Sequence, residues 1–253
     1  MSDAERTTGL VEERSASVSF GIGAIDAALG GGLACSTVHE LAAARETEIA
    51  AATAFALAVT TLSMRQSCRL GSTGRVALWI TEELSLCENG VPYGPGLEET
   101  GIPPERLITV AAPRLRDALW VTEEALRCRA VGAVISELSA RAVEPTVTRR
   151  LSLAAAAGHT LGLFLRPQPD NEPGAFATRW IVGAAASLHS SPSQRYGGIG
   201  PPRLAIRLVR NRRGHLGAWI VEWNSVEQRF ELATNSEPVA GAIIDRPNRA
   251  AVA

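Results

Sequence analysis

The residues with the clearest chemical potential lie between a predicted strand, Thr37–Leu41, and a predicted helix, Glu46–Arg65. In P-loop ATPases this junction carries the motif G-x-x-x-x-G-K-[ST], whose backbone amides and lysine hold phosphate. Here residues 42–49 read AAARETEI, with no glycine and no lysine. The carboxylates of Glu46 and Glu48 would repel an anion at this position. The sequence therefore predicts a degenerate P-loop with no nucleotide-binding residues.

Composition disfavours the other common catalytic classes. All 25 cationic residues are arginine, so lysine chemistry such as Schiff-base formation is excluded, although codon bias in a GC-rich genome would give the same composition. The four histidines are scattered and lack metal-ligand spacing such as H-E-x-x-H. Serine and cysteine occur in no recognisable nucleophile motif. We therefore expect a protein that is not an enzyme and that holds no metal or cofactor.

A basic segment near the C-terminus could bind a partner. It lies in a predicted β-hairpin, where Trp219 and Trp223 share one face of the second strand, and it comprises Arg207, Arg210, Arg212, Arg213 and His215. Basic residues interleaved with aromatic ones can bind single-stranded nucleic acid. A hairpin at the edge of a sheet can instead be extended by a partner strand. A solvated turn above a tryptophan-filled core fits the pattern equally well.

The elements that position these residues alternate between strands and helices, which predicts an α/β fold with a mostly parallel sheet flanked by helices. A C-terminal antiparallel hairpin completes it. The remaining predicted strands are 75–81, 107–111, 131–136, 160–165 and 178–187, the hairpin strands are Arg203–Asn211 and Gly217–Trp223, and the remaining helices are 24–29, 113–129 and Pro145–Gly158. Glu88–Gly101, rich in glycine and proline, is predicted as a loop.

Within the predicted helix 113–129, a stripe at helical spacing should pack on the sheet; it consists of Leu115, Leu119, Thr122 and Leu126. Trp120 lies off this stripe, and we expect it to make a second packing contact.

The chain divides into a flexible tail, residues 1–18, a core domain, residues 19–247, and a C-terminal tail, residues 248–253. A Ser/Gly/Pro-rich loop is predicted at Ser190–Pro202. The net charge of −1 gives no overall argument for nucleic-acid binding. The four cysteines lie far apart, no signal peptide opens the chain, and no run of about 18 apolar residues occurs. These features predict a cytoplasmic protein with reduced thiols and no membrane span.

Several blocks of the sequence follow one another in an order that resembles the ImuA family, the RecA-like accessory proteins of bacterial SOS mutagenesis cassettes. The entrance reads GIGAIDAALGGGL followed by VHEL, and the later blocks are Tyr93–Val110, Arg116–Leu138, Thr148–Pro167, Thr178–Trp180 and Arg207–Trp223. The resemblance extends from about Ser19 to about Pro247.

The resemblance implies a RecA-like core. Glu83 then matches the strand end where a glutamate activates water, and Glu137 matches the Walker-B position, where an acid holds Mg²⁺ through water. Because the P-loop is degenerate, we expect both positions to be vestigial.

The resemblance also implies a role in damage-induced translesion synthesis, as a non-catalytic adaptor. Its implied partners are an ImuB-like polymerase scaffold and an error-prone replicative-type polymerase, with RecA and DNA as further candidates. Two alternatives are an ATP-dependent DNA-repair ATPase or nucleotide switch that uses Glu83 and Glu137, and a single-stranded DNA-binding module built on the basic hairpin.

Overall fold

A nine-stranded β-sheet organises the protein in a computed structural model that describes residues 17–69, 75–138, 143–169, 174–187 and 201–233. The strands are β1 (Ser17–Val18), β2 (Leu33–Ala34), β3 (Val38–Ala43), β4 (Val76–Glu82), β5 (Leu107–Ala112), β6 (Val131–Glu137), β7 (Leu161–Arg166), β8 (Thr178–Ala185), β9 (Arg203–Asn211), β10 (Gly217–Asn224) and β11 (Arg229–Leu232). The helices are α1 (Gly23–Ala28), α2 (Ile49–Arg69), α3 (Glu83–Asn89), α4 (Gly94–Thr100), α5 (Leu115–Arg127) and α6 (Pro145–Gly158), with 3-10 turns at Glu46–Glu48 and Pro104–Arg106.

The strand order in the large sheet is β11-β10-β9-β8-β3-β7-β6-β4-β5. The strands from β8 to β5 in this order pair in parallel, whereas β9, β10 and β11 each pair antiparallel with their neighbours. This arrangement confirms the predicted α/β class with a mostly parallel sheet, flanking helices and a C-terminal antiparallel hairpin.

Two apolar cores lie on opposite faces of the sheet, because successive side chains of a strand point to opposite sides. On one face Leu41 of β3 packs in a cluster with Phe55 of α2. On the other face Val38 of the same strand packs with Leu126 of α5 and Leu151 of α6. The parallel strands are therefore covered on both sides, as their nearly continuous apolar sequences require.

Helix α2 is the central helix of the first core. The helical segment Glu46–Ser67 is long and apolar enough, by length and composition alone, to span a membrane, with a mean hydropathy of 1.4. The sequence prediction counted unbroken apolar runs, and the threonine and serine residues of this segment interrupt such a run. In the fold, α2 buries Ala52, Phe55, Ala56 and Val59 against the sheet and is therefore a core helix.

An aromatic cluster joins the N-terminal segment, α2 and the C-terminal strands. The Phe20 ring lies 5.8 Å from that of Trp180 and 5.4 Å from that of Phe230. Trp219 lies 6.3 Å from Trp180, and Trp223 contacts Phe230 edge-on at 5.0 Å. Both tryptophans of the hairpin thus pack against the core. This packing agrees with the alternative in which the hairpin turn lies above a core that contains the tryptophans.

The N-terminal segment enters this core through a two-stranded ribbon. Ser17 pairs with Ala34 and Val18 with Leu33, so these first two residues lie in a strand rather than in the predicted tail. A Cβ at Gly32 would stand 2.7 Å from the carbonyl oxygen of Val18, and its φ is +122°. Only glycine tolerates both this approach and this backbone conformation. The rest of the tail 1–18, most of Ser190–Pro202 and the tail 248–253 lie outside the described residues.

The predicted loop Glu88–Gly101 was wrong, because this region contains the end of α3 and all of α4. Proline at the start of α4 fits a first helical turn, where its missing amide is no loss. Gly101 ends the helix in the left-handed conformation. Glycine and proline here begin and end short helices instead of excluding them.

The hairpin lies near one edge of the sheet but does not form that edge, contrary to the alternative in which a partner strand extends it. Strand β11 pairs with β10, with Phe230 opposite Trp223, so β10 is an interior strand and β5 and β11 form the edges. The chain reverses after β10 because the Asn224 side chain accepts hydrogen bonds from the amides of Val226 and Glu227, at 3.1 and 3.0 Å. The unpaired backbone expected for a partner strand is therefore used within the sheet.

Helix α5 confirms one packing prediction and corrects another. Thr122 and Leu126 are buried, and Leu115 and Leu119 pack at the margin of the same core. Within the described part of the chain, Trp120 belongs to neither core, and 63% of its surface is exposed. The inward stripe of α5 is narrow, and position 120 lies on its outward side.

Candidate functional site

The junction between β3 and α2, where a P-loop would hold phosphate, is closed by contacts within the protein. The Ala44 amide donates to the Val182 carbonyl at 2.7 Å, so strand pairing uses an amide that a phosphate cradle would need. Arg45 Nη2 donates to Glu48 Oε1 at 2.8 Å. This hydrogen bond, with a smaller one from the Ala184 amide, lowers the pKa of the Glu48 carboxyl. An ionised carboxylate therefore faces the junction.

The second glutamate of the junction is also engaged. Gln168, just beyond β7, donates through Nε2 to Glu46 Oε2 at 2.9 Å. This contact joins the start of α2 to the chain leaving a neighbouring strand. The carboxyl ends of β3 and β7, where α/β sheets place ligands, are thus connected by protein side chains.

Glu83 and Glu137 lie at the ends of two adjacent strands, as the sequence predicted. Glu83 begins α3 directly after β4 and is exposed. Glu137 is the last residue of β6, and its Oε2 accepts a hydrogen bond from Trp79 Nε1 at 3.0 Å. Burial raises the pKa of Glu137, against the lowering effect of Trp79. One oxygen of the Glu137 carboxyl group is therefore already used within the protein.

Among the described residues, no group of three or more His, Cys, Asp or Glu side chains could hold a metal ion.

The predicted basic residues are divided between the sheet and the hairpin turn. Leu204, Ile206 and Leu208 of β9 point into the α2 core, so Arg207 projects from the opposite face and is exposed. A register shift in β9 then places Arg210 opposite Arg179 of β8.

Arg210 is half-buried in a field of positive charge. Burial, followed by the charges of Arg212 and Arg179, lowers the pKa of its guanidinium, whereas Glu40 raises it. Arg212 is exposed, and its Nη2 donates to the Gly174 carbonyl at 3.3 Å. The structure therefore brings Arg210 and Arg212 together with Arg179, which the sequence did not single out.

The turn of the hairpin is hydrogen-bonded to the end of α1. The His215 amide and the Asn211 side-chain amide both donate to the Ala28 carbonyl, at 3.1 and 2.8 Å. The side chains of Arg213 and His215 are exposed on this fixed turn. Arg207, Arg212 and Arg213 are thus the exposed arginines of the predicted set.

A buried ion cluster lies next to these arginines and was missed by the sequence reasoning. Glu40, in the middle of β3, is fully buried. Its Oε1 accepts from Arg166 Nη1 at 3.1 Å, and its Oε2 accepts from Arg179 Nε. The signal was a carboxylate inside an apolar strand, because a buried charge requires a partner. The cluster ties β3, β7 and β8 together beneath Arg210.

Comparisons with known proteins address the whole chain. No protein-family model matches it. "Protein ImuA" of Caulobacter vibrioides strain NA1000 / CB15N is 33% identical over 214 residues, which cover 81% of this chain and 82% of the relative. The chain belongs to the ImuA family. Protein ImuA from Caulobacter vibrioides strain ATCC 19089 / CIP 103742 / CB 15 matches with the same identity and coverage. Because the similarity covers about four-fifths of both chains, the family assignment rests on most of the chain and not on a single motif.

Proposed function

We propose that this ImuA-family protein is a non-catalytic adaptor, with a RecA-like core, in damage-induced translesion synthesis and mutagenesis. It bridges an ImuB-like polymerase scaffold and an error-prone replicative-type polymerase in the cytoplasm. RecA and DNA are further candidate partners. The family assignment supports the cellular role, and the chemistry of the β3–α2 junction supports the absence of catalysis.

The observation that carries the proposal is the closed junction at residues 42–49. Phosphoryl transfer depends almost wholly on positioning the phosphates and neutralising their charge. Here the Ala44 amide is paired with Val182 and an ionised Glu48 occupies the corner. A phosphate at this position would meet repulsion and no cradle. We therefore expect the protein to act through contacts that its surface makes with partners.

We propose that the exposed arginines of the hairpin contact a partner. Arginine forms planar, multidentate hydrogen bonds and is enriched among the residues that dominate binding energy. Arg207 and Arg213 can be replaced without touching the buried Glu40 cluster. Arg210 and Arg212 are less suitable for a first test, because Arg210 lies in that cluster's field and Arg212 bonds to the Gly174 carbonyl.

The experiment compares Arg207→Ala/Arg213→Ala with wild type in binding to the ImuB-like scaffold and to single-stranded DNA, and in damage-induced mutagenesis. We expect an unchanged melting temperature, weaker scaffold binding by about tenfold, and reduced mutagenesis. The matched control is Arg114→Ala/Arg129→Ala, which removes two exposed arginines elsewhere. This control should retain both activities.

The outcomes separate the candidate partners. Weakened scaffold binding with unaltered DNA binding supports the adaptor contact. If the variant instead binds all DNA sequences equally more weakly, and its DNA affinity depends less steeply on salt, the arginines contact phosphates. This result favours the DNA-binding alternative. A stable variant that keeps both interactions and full mutagenesis would remove the hairpin from the proposed interface.

A further inference from the structure

Helices α5 and α6 form a layer whose outward side carries an unusual set of exposed residues. Trp120 of α5 and Leu153 of α6 are each 63% exposed, although both are large apolar side chains. The two helices pack directly against each other, so their outward sides adjoin. We define the α5–α6 outer surface by Arg116, Trp120, Arg127, Arg149, Arg150 and Leu153.

The positive charge of this surface is held in place by a carboxylate between the helices. Glu123 is only 5% exposed. Its Oε1 accepts from Arg127 Nη2 at 2.5 Å, and its Oε2 accepts from Arg150 Nη2 of the neighbouring helix. Arg127 and Arg150 nevertheless keep 52% and 62% of their side-chain surfaces exposed. Two guanidinium groups are therefore oriented in advance, at little further cost in side-chain entropy on binding.

The remaining charged residues make the surface basic. Arg116 stands one turn before Trp120, Arg149 stands one turn before Leu153, and both arginines are exposed. The acidic residues next to these four arginines are Glu123, which is buried, and Glu124, which is exposed and accepts from Arg127 at 3.0 Å. The surface thus combines an excess of positive charge with a tryptophan and a leucine.

We propose that the α5–α6 outer surface binds an acidic segment of a protein partner that presents a large apolar side chain to Trp120. Charge complementarity favours carboxylates opposite the four arginines. Tryptophan and arginine are the residue types most enriched among residues that dominate protein–protein binding. A nucleic acid fits less well, because Glu124 lies one turn from Trp120 and Leu153 offers no aromatic face for a base. This proposal does not rest on the hairpin contact.

The test selects ligands for the full-length protein from a phage-displayed library of random linear peptides. We expect enrichment of peptides that combine Asp or Glu with Trp, Phe or Leu. Measured by fluorescence anisotropy, Trp120→Ala should lower the affinity for the selected peptides by at least about tenfold. Arg149→Glu should also lower this affinity and should make its dependence on salt concentration less steep. Trp120→Phe should retain much of the affinity. Because Trp120 is exposed, the melting temperatures should stay unchanged.

The control variant is Tyr93→Ala, which removes an aromatic residue that is 74% exposed at the start of α4. Helix α4 packs on α2, which lies on the other side of the sheet, so this variant should bind like wild type.

Three results would overturn the proposal. The first is no enrichment of acidic peptides, or enrichment that Trp120→Ala leaves unchanged. The second is binding of oligo(dT) that Trp120→Ala abolishes, which would assign the surface to nucleic acid. The third is self-association in sedimentation experiments that Trp120→Ala abolishes while no acidic peptide binds, which would assign it to a second copy of the chain.

Discussion

At the scale of single residues, His39 shows how a polar side chain can be buried without a charge. Its Nε2 donates to the Ala34 carbonyl at 2.8 Å, and in the neutral imidazole its Nδ1 accepts from the Thr178 hydroxyl at 2.7 Å. The Thr178 oxygen in turn accepts from Trp180 Nε1 at 2.9 Å. The chain of bonds is complete only with a neutral imidazole. Burial accordingly lowers the pKa of His39 to about 4.

This shift predicts that acid destabilises the protein through His39. The unfolded histidine binds a proton near pH 6.5, whereas the folded one does so only near pH 4. The contribution of neutral His39 to the free energy of unfolding is therefore fully present above pH 6.5. It is lost as the pH falls to about 4, and the loss is up to about 3 kcal/mol. Urea unfolding across this range should show this loss in wild type and lack it in His39→Gln.

The matched control is His215→Gln, since His215 is exposed on the hairpin turn. Its pH dependence should follow that of wild type. A His39→Gln variant with the same pH dependence as wild type would contradict the assignment, whatever its stability at neutral pH.

At the scale of elements, the contact between α5 and α6 depends on one residue without a side chain. A Cβ at Gly158, at the end of α6, would stand 2.0 Å from the Leu126 carbonyl oxygen and 2.8 Å from the Arg127 carbonyl carbon. Both atoms belong to the backbone of α5 and cannot rotate away. The close approach of these helix ends also positions the Glu123 bridge on which the α5–α6 outer surface depends.

We therefore expect Gly158→Ala to lower the free energy of unfolding by about 1–3 kcal/mol or more, because the helices must separate. Chemical denaturation measures this change. Gly23→Ala is the control, because nothing lies within 4 Å of a Cβ at Gly23 in α1. Its stability should stay within about 0.5 kcal/mol of wild type. Equal stability of the two variants would contradict the close packing of α5 against α6 at Gly158.

At the scale of the whole molecule, the strand ends form the corner where an α/β protein would bind a nucleotide. Glu83 and Glu137 stand at this end of the sheet, and Glu48 closes it at β3. The competing hypothesis, an ATPase or nucleotide switch, needs phosphates in the same place. The two hypotheses therefore differ in one measurable property.

We expect no ATP turnover by the purified protein with Mg²⁺, with or without single-stranded DNA and the ImuB-like scaffold. Neutralising charge and backbone amides are what phosphoryl transfer requires, and the junction supplies a carboxylate instead. Glu83→Gln and Glu137→Gln should leave the background unchanged. A steady rate of about 1 s⁻¹, at the low end for kinases, that Glu83→Gln abolishes would falsify the adaptor proposal.

Most of the elements could be predicted because their signals are local. The helix Pro145–Gly158 and the strand Arg203–Asn211 have the predicted bounds, since proline, glycine and apolar periodicity mark their ends. The prediction of a loop at Glu88–Gly101 was wrong because proline and glycine also occur at the first turn and at the end of helices. Strand β11, which covers the hairpin, was not predicted because it is only four residues long.

The candidate site was predictable in its chemistry and not in its arrangement. The sequence by itself determined that residues 42–49 lack glycine and lysine, because a missing functional group needs no geometry to be recognised. It also placed Glu83 and Glu137 at strand ends, since each follows an apolar run directly.

Only the tertiary structure decided how distant residues combine. Glu40 meets Arg166 and Arg179 across 126 and 139 positions of sequence, and Trp120 faces solvent because α5 turns its narrow apolar stripe to the sheet. Pairing across a sheet and the rotation of a helix are set by packing among segments far apart in the chain. No local pattern records them.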